Sequence, residues 1–209
     1  DLEIDVLSSR AGAKWAQATA EGLIPSWVAD MDFPVAPEIR RALLERIESS
    51  DLGYPDWFRG TPLRAEFARR MTARYGWEPD PDAVREQTDL IQALQIILHL
   101  ATTRGDAVAI RTPNYPPFLA TIRRMGLQQI DFPFFDTGDG WELDFETFEQ
   151  AVSRYRPRVL VLVNPHNPTG RVHTRDELER IADLAERFDI LVVSDEIHAE
   201  LIYEPHRHI

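Results

Sequence analysis

The chain contains no cysteine. Disulfides, thiolate metal sites and cysteine nucleophiles are therefore excluded. Lysine is almost as scarce. Lys14 is the only one, and every other member of the 23 lysines and arginines is arginine. Chemistry that needs a lysine amine must use Lys14 or a residue outside these 209. No apolar run approaches the roughly 20 residues of a membrane-spanning helix, so no membrane partner is expected. No fixed-period repeat and no low-complexity segment is visible. A basic face is missing too: the net charge is −12 and the 35 acidic residues are scattered. Nucleic acid is thus not an expected partner. The first residues, DLEID, lack the basic-then-apolar layout of a secretion signal. They also lack a starting Met, so trimming there and a cytoplasmic location are the expectations.

What is present is an alternation of helix and strand patterns. Thr61 and Pro62 open a helix whose Leu63, Phe67 and Met71 share a face, and Gly76 ends it. A second helix is predicted from about Leu90 to Thr103, with Ile91, Leu94, Leu98 and Ala101 on one side. Ala107–Ile110 reads as a short buried strand. Residues 158–163, RVLVLV, and 190–193, ILVV, read as strands buried on both faces. Thr174 and Glu177 form a capping box before a helix that turns Leu178, Ile181, Leu184 and Ala185 inward. Buried strands joined by helices imply an α/β fold with a mainly parallel sheet and helices on both faces. The first 35 residues show little periodicity and are predicted to form an extended arm. Residues 51–60, DLGYPDWFRG, are turn-rich.

In open α/β sheets ligands sit at the carboxyl ends of the strands. Residues 158–163 run into Asn164-Pro165-His166-Asn167-Pro168-Thr169-Gly170, where two Asn-Pro pairs stiffen a non-helical loop. A plain turn explains one pair better than two. Residues 190–193 end in Ser194-Asp195-Glu196-Ile197-His198, where Asp195 reads equally as a helix cap and as a desolvated functional carboxylate. Tyr115 lies on the proline-stiffened loop TPNYPPF after the strand at 107–110; alone it reads as a packing residue. Gln87-Thr88-Asp89 precedes a helix start, where free N–H groups suit an anion. Any helix start offers this. Together these loops supply an anion site, an aromatic plane, an amide and a carboxylate, which is what a phosphorylated pyridinium cofactor needs. The pair His206 and His208 reads as solvated tail residues, and no metal site is expected.

NPHNPTG followed by SDEIH resembles the fold-type-I pyridoxal-phosphate enzymes of the class I/II aminotransferase superfamily. WVADMDF (27–33), LGYP (52–55), TPNYPPF, Lys14-Trp15 and His198 resemble its cystathionine β-lyase-like C–S lyase branch. The resemblance implies the large domain of an aspartate-aminotransferase-like fold. Residues 1–35 would be an N-terminal arm and the start of the small-domain region. Residues 36–209 would be part of the cofactor-binding domain, incomplete because the chain ends early. Pyridoxal 5′-phosphate is the implied cofactor. Tyr115 would stack on its ring, Asn167 would bond its ring hydroxyl, and Asp195 would pair with its ring nitrogen, with His198 beside it. The backbone at Asp89 and Leu90 would hold its phosphate, and Tyr54 would reach the phosphate of a neighbouring subunit. Asp30 and Tyr54 would face the amino-acid substrate. A cis Asn167–Pro168 bond is also implied. Asp89 departs from the pattern: many relatives carry a small residue there, and a carboxylate beside a phosphate is unfavourable unless it points away.

In the family the Schiff-base lysine follows SDEIH in a Ser-x-Ser-Lys motif, which is expected beyond Ile209, so no catalytic residue is assigned within this chain. The isolated chain is accordingly expected to be inactive. Its parent is expected to be a homodimeric C–S lyase, eliminating a thiol from a cysteine-type amino acid and releasing pyruvate and ammonia. An aminotransferase that passes the amino group to a 2-oxo acid is the first alternative. A non-catalytic regulatory or binding protein is the second.

Overall fold

Val159–Val163 (β5) is an unbroken β-branched and leucine run, and every residue in it is buried. Such a strand needs an apolar layer on each side. In a computed structural model, which describes residues 2–54, 56 and 60–209, it has them. Ala107–Ile110 (β1), Gln128–Asp131 (β2) and Leu191–Asp195 (β6) join it in a sheet of order β2-β1-β5-β6. All three pairings are parallel. On one face lie Leu90–Ala101 (α5) and Pro116–Arg124 (α6). Their Leu94, Leu98, Phe118 and Ile122 pack with Val159, Val161 and Val163. On the other face lie Phe145–Tyr155 (α7) and Arg175–Phe188 (α8). Their Phe148, Val152, Ile181 and Leu184 pack with Leu160 and Leu162. Alternate residues of one strand therefore feed two separate cores, as the period of a pleated strand demands.

The helix boundaries follow local chemistry. Thr174 accepts from the Glu177 N–H while the Glu177 carboxylate returns to the Thr174 N–H, so the predicted capping box is present at the start of α8. Asp144 caps α7 in the same sense, accepting from the Thr147 N–H at 3.0 Å. A short antiparallel pair, Phe134–Asp136 (β3) with Trp141–Leu143 (β4), flanks the turn at Asp136–Gly140. The run DTGDG between apolar segments carries that turn signal, although the sequence reading did not use it.

The chain divides into two compact units, one ending at Thr61 and the other spanning Pro62–Ile209. Three expectations need correction. The first 35 residues are not an extended arm. They contain Ile4–Ser8 (α1) and Ala13–Glu21 (α2). The second of these helices is alanine-rich and closed by Gly22 in the left-handed conformation, so its signal lay in propensity and capping rather than in an apolar stripe. The strand at β6 forms, but it is not fully buried: Leu191 is 48% exposed. Among the described residues β6 has one neighbour, β5, and stands at the sheet edge. Finally, His208 is not solvated, because its side chain packs against Tyr75 and its Nε2 lies 2.9 Å from Glu196. Pro37–Glu48 (α3) and Pro62–Tyr75 (α4) complete the α-helices among the described residues. Of the turn-rich segment 51–60, Pro55, Trp57, Phe58 and Arg59 lie outside the described residues. No helix among the described residues is long and apolar enough to cross a membrane.

Candidate functional site

Three neighbouring strands, β1, β5 and β6, deliver three loops to one edge of the sheet. The loop after β1 brings Tyr115, the loop after β5 brings Asn167, and β6 ends on Asp195. Val163 of β5 is in register with Asp195, and the next residue, Asn164, donates its N–H to the Asp195 carbonyl at 2.9 Å. The sequence reading placed these residues on one edge, and the topology brings them there.

Asp195 is a carboxylate in an unfavourable setting. Burial at the strand end raises its pKa; the Ile197 N–H and the nearby His198 oppose this more weakly. The Ile197 N–H donates to it at 3.1 Å. A desolvated carboxylate with so little compensation is suited to a cationic N–H partner. The Asn167 side chain is half-buried and makes no hydrogen bond among the described residues. The Asn167–Pro168 bond is cis, as the resemblance implied. Tyr115 caps the start of α6 and is 43% exposed, with Phe118 edge-on to its ring at 5.6 Å. The ring is thus held on one side by Phe118 while much of it stays exposed.

At the start of α5, Asp89 is a true helix cap. Its carboxylate accepts from the Gln92 N–H at 2.8 Å, and the Gln92 side chain accepts from the Thr88 N–H at 3.2 Å. The departure at Asp89 therefore has a local use: the carboxylate takes one donor of the first turn and leaves those of Leu90 and Ile91 for another acceptor. Leu90 and Asp195 line the same cavity of about 640 Å³, together with Phe67, Met71, Leu94 and Phe118. Tyr115 and Asn167 are not among its lining residues.

The other unit holds Lys14, Asp30 and Tyr54. Lys14 is 7% exposed, and its Nζ donates to the Asp30 carbonyl at 2.8 Å and to the Asp32 carboxylate at 2.7 Å. Trp15 Nε1 donates to the second Asp32 oxygen at 2.8 Å. Those two hydrogen bonds, Lys14 first, hold the Asp32 pKa below the ordinary value. The single lysine is thus a clamp on the Asp30–Asp32 segment. Asp30 and Tyr54 are exposed, Tyr54 at 88%.

Sequence reasoning overlooked a layer beneath the edge. Arg111, Asn114, Asn164, His166 and His173 are all buried. The Arg111 guanidinium lies over Phe132, Phe134 and Phe148, at 4.6, 5.2 and 5.6 Å from the ring centres. Burial, then the nearby Arg111 and Arg171, lowers the pKa of His166 to about 4 and of His173 to about 3, so both are neutral at pH 7. The available signal was His166 itself, inside the NPHNPTG motif.

A parallel sheet wrapped by helices, with ligand-facing loops at its carboxyl edge, defines an α/β ligand-binding domain. Residues 28–209 match the profile of the family described as Aminotransferase class I and II, and the chain belongs to that family. It is 32% identical over 187 residues to the cystathionine beta-lyase PatB of Bacillus subtilis, covering 88% of this chain and 47% of that protein. It is 31% identical over 202 residues to the cystathionine beta-lyase of Corynebacterium glutamicum, covering 97% and 52%. The pyridoxal-phosphate-bound C–S lyase of Staphylococcus hominis superposes with a TM-score of 0.88 at 25% identity, over 100% of this chain and 55% of that one. The fold is therefore aspartate-aminotransferase-like, as expected. The chain spans about half the length of the curated relatives it matches.

Proposed function

We propose that the complete protein is a pyridoxal-phosphate-dependent C–S lyase acting on a cysteine-type amino acid such as cystathionine. The observation that carries this reading is Asp195, a desolvated and weakly compensated carboxylate at the strand edge. It fits a protonated ring nitrogen better than it fits water. The other residues suit the same group: Asn167 has a free amide for the ring hydroxyl, Tyr115 a partly exposed ring, and Leu90 a first-turn N–H for the phosphate. When bound, the cofactor supplies an electron sink for a carbanion at the substrate Cα. Asp195 keeps the ring nitrogen protonated, with His198 favouring its charged form. Tyr115 fixes the plane of the ring and Asn167 its rotation. Lys14 has no catalytic role, because its amine is committed to Asp30 and Asp32.

The C–S lyase reading is favoured by the relatives that carry the name cystathionine beta-lyase. Cleavage of the C–S bond would expel a thiol, and hydrolysis of the remaining three-carbon fragment by one water would release pyruvate and ammonia. Asp30 and Tyr54 are assigned to the substrate side, and Tyr54 to the phosphate of a partner subunit in a cytoplasmic homodimer. The test is incubation of the complete protein with cystathionine. Pyruvate formed without any 2-oxo-acid acceptor supports the lyase. Turnover that requires an acceptor moves the assignment to an aminotransferase. Absence of pyridoxal-phosphate uptake overturns the reading altogether.

A further inference from the structure

Tyr115 and Asn167 sit on different loops, and among the described residues no backbone hydrogen bond joins residues 111–115 to 164–170. A side-chain chain does. The Asn114 side-chain Oδ1 accepts from the Tyr115 N–H at 2.7 Å, and the Asn114 Nδ2 donates to the Arg111 carbonyl at 2.9 Å. These two backbone contacts settle which way the amide points. Nδ2 also lies 3.4 Å from His166 Nε2. An amide nitrogen can only donate, so Nε2 must be the acceptor and the ring proton must sit on Nδ1. His166 Nδ1 then donates to Thr169 Oγ1 at 2.9 Å. Phe134 closes the ring's flank, with centroids 4.6 Å apart, and His166 is 2% exposed. The His166 backbone is anchored as well: its N–H bonds the Arg171 carbonyl and its carbonyl takes the Gly170 N–H, each at 2.8 Å.

The geometry points to His166 as a positioning residue that, through Asn114, sets the Tyr115 ring and the Asn167 amide in register for one flat ligand. This rests on the pyridoxal-phosphate reading above and deepens it. His166 touches no ligand. It faces Asn114 on one side and Thr169 on the other, so two substitutions separate its two bonds. His166→Gln keeps an acceptor where Nε2 stands and so keeps the link to Asn114. His166→Asn keeps a donor where Nδ1 stands and retains only the bond to Thr169, inside its own loop. A residue that merely supports its own loop would make Asn the better replacement. A residue that aligns two loops makes Gln the better one.

The experiment is titration of the apo form of the complete protein with pyridoxal phosphate, read by visible circular dichroism of the bound cofactor as well as by affinity. His166→Asn is expected to weaken binding about tenfold, the worth of one buried hydrogen bond, and to diminish the dichroic band. His166→Gln and Thr169→Val are expected to stay within about twofold to threefold of the parent. Asn114→Ala provides a second route if His166→Asn folds poorly. It should lose at least as much as His166→Asn, because it also frees the Tyr115 N–H and the Arg111 carbonyl, and the double variant should be no worse than Asn114→Ala alone. Equal behaviour of the Asn and Gln variants, or additive losses in the double variant, overturns the proposal. If the parent takes up no pyridoxal phosphate, the cofactor reading and the proposal fail together. If the parent binds it and Asp195→Ala abolishes binding while the His166 and Asn114 variants are silent, the proposal alone fails.

Discussion

Helix α3 carries Ile39, Leu43, Leu44 and Ile47 along one side, and all four are exposed. Helix α8 carries Leu178, Ile181, Leu184 and Ala185 at similar spacing, and the last three are buried. Both helices are amphipathic. The difference is that the Pro62–Ile209 unit contains a sheet, which offers two broad apolar faces, whereas the regular elements among the described residues of the unit ending at Thr61 are all helices. Among the described residues of that unit the buried ones are Leu7, Lys14 and Ala18, and its best-organised feature is the polar clamp of Lys14 and Trp15 on Asp32. An apolar stripe becomes core only when a second layer is available to receive it. Where none is, hydrogen bonds and ion pairs carry more of the local order.

The contrast can be broken most forcefully at Phe148. It is 1% exposed and stacked on Phe132 at 4.2 Å. Phe148→Ala should cost about 3–5 kcal/mol in a denaturant titration. Leu43→Ala on α3 should move the same midpoint very little. Comparable losses at the two positions would show that α3 is as well packed as the sheet.

Acid should separate the units next. His166 and His173 have folded-state pKa values of about 4 and about 3, below the ordinary 6.5. The unfolded chain therefore takes up protons first, so stability is complete above pH 6.5 and falls as pH drops from 6.5 toward 4. For His166 alone the loss is at most about 3 kcal/mol. Asp195 opposes this slope at its acid end, since its pKa is raised in the fold. Asp32 follows the same sign at lower pH: its pKa is lowered in the fold, so its contribution is complete above the ordinary 3.8 and is lost as pH falls below it. Trp141 fluorescence should change at higher pH than that of Trp15, measured in single-tryptophan variants. Coincident transitions would refute the separation.

A smaller effect is expected from Lys14→Met, which leaves Asp32 and the Asp30 carbonyl without their cation. The unit ending at Thr61 should melt a few degrees lower while amide protection in β5 is unchanged. The smallest effect is at Asp89. Asp89→Asn keeps a side-chain cap on α5 and removes a negative charge beside the proposed phosphate position. Pyridoxal-phosphate affinity should tighten about threefold to tenfold. No change would place the phosphate away from the start of α5.

Much of the larger unit was legible beforehand. β1 and β5, the capping box at Thr174 and the inward face of α8 were all readable, because each is set by residues close in sequence. The edge loops were readable for a related reason: paired Asn-Pro steps and a carboxylate after an apolar run announce a strand end. Less was visible in α1 and α2, where alanine and glycine replace an apolar stripe. The hairpin of β3 and β4 carried its turn signal but lies between stronger elements. The layer of Arg111, Asn114, His166 and His173 could not be ranked from sequence, since burial of a polar side chain depends on what folds over it.

The sequence by itself determined β1, β5, β6, α4, α5 and α8, the strand-end loops and the family, because local periodicity, turn chemistry and short motifs depend on neighbours along the chain. Only the tertiary structure decided which polar groups are desolvated and which partners they meet. It made Lys14 a clamp, Asp195 a carboxylate held against its charge, and His166 a link between two loops 52 residues apart. Those outcomes rest on distance through space and exclusion of water, which no spacing along the chain encodes.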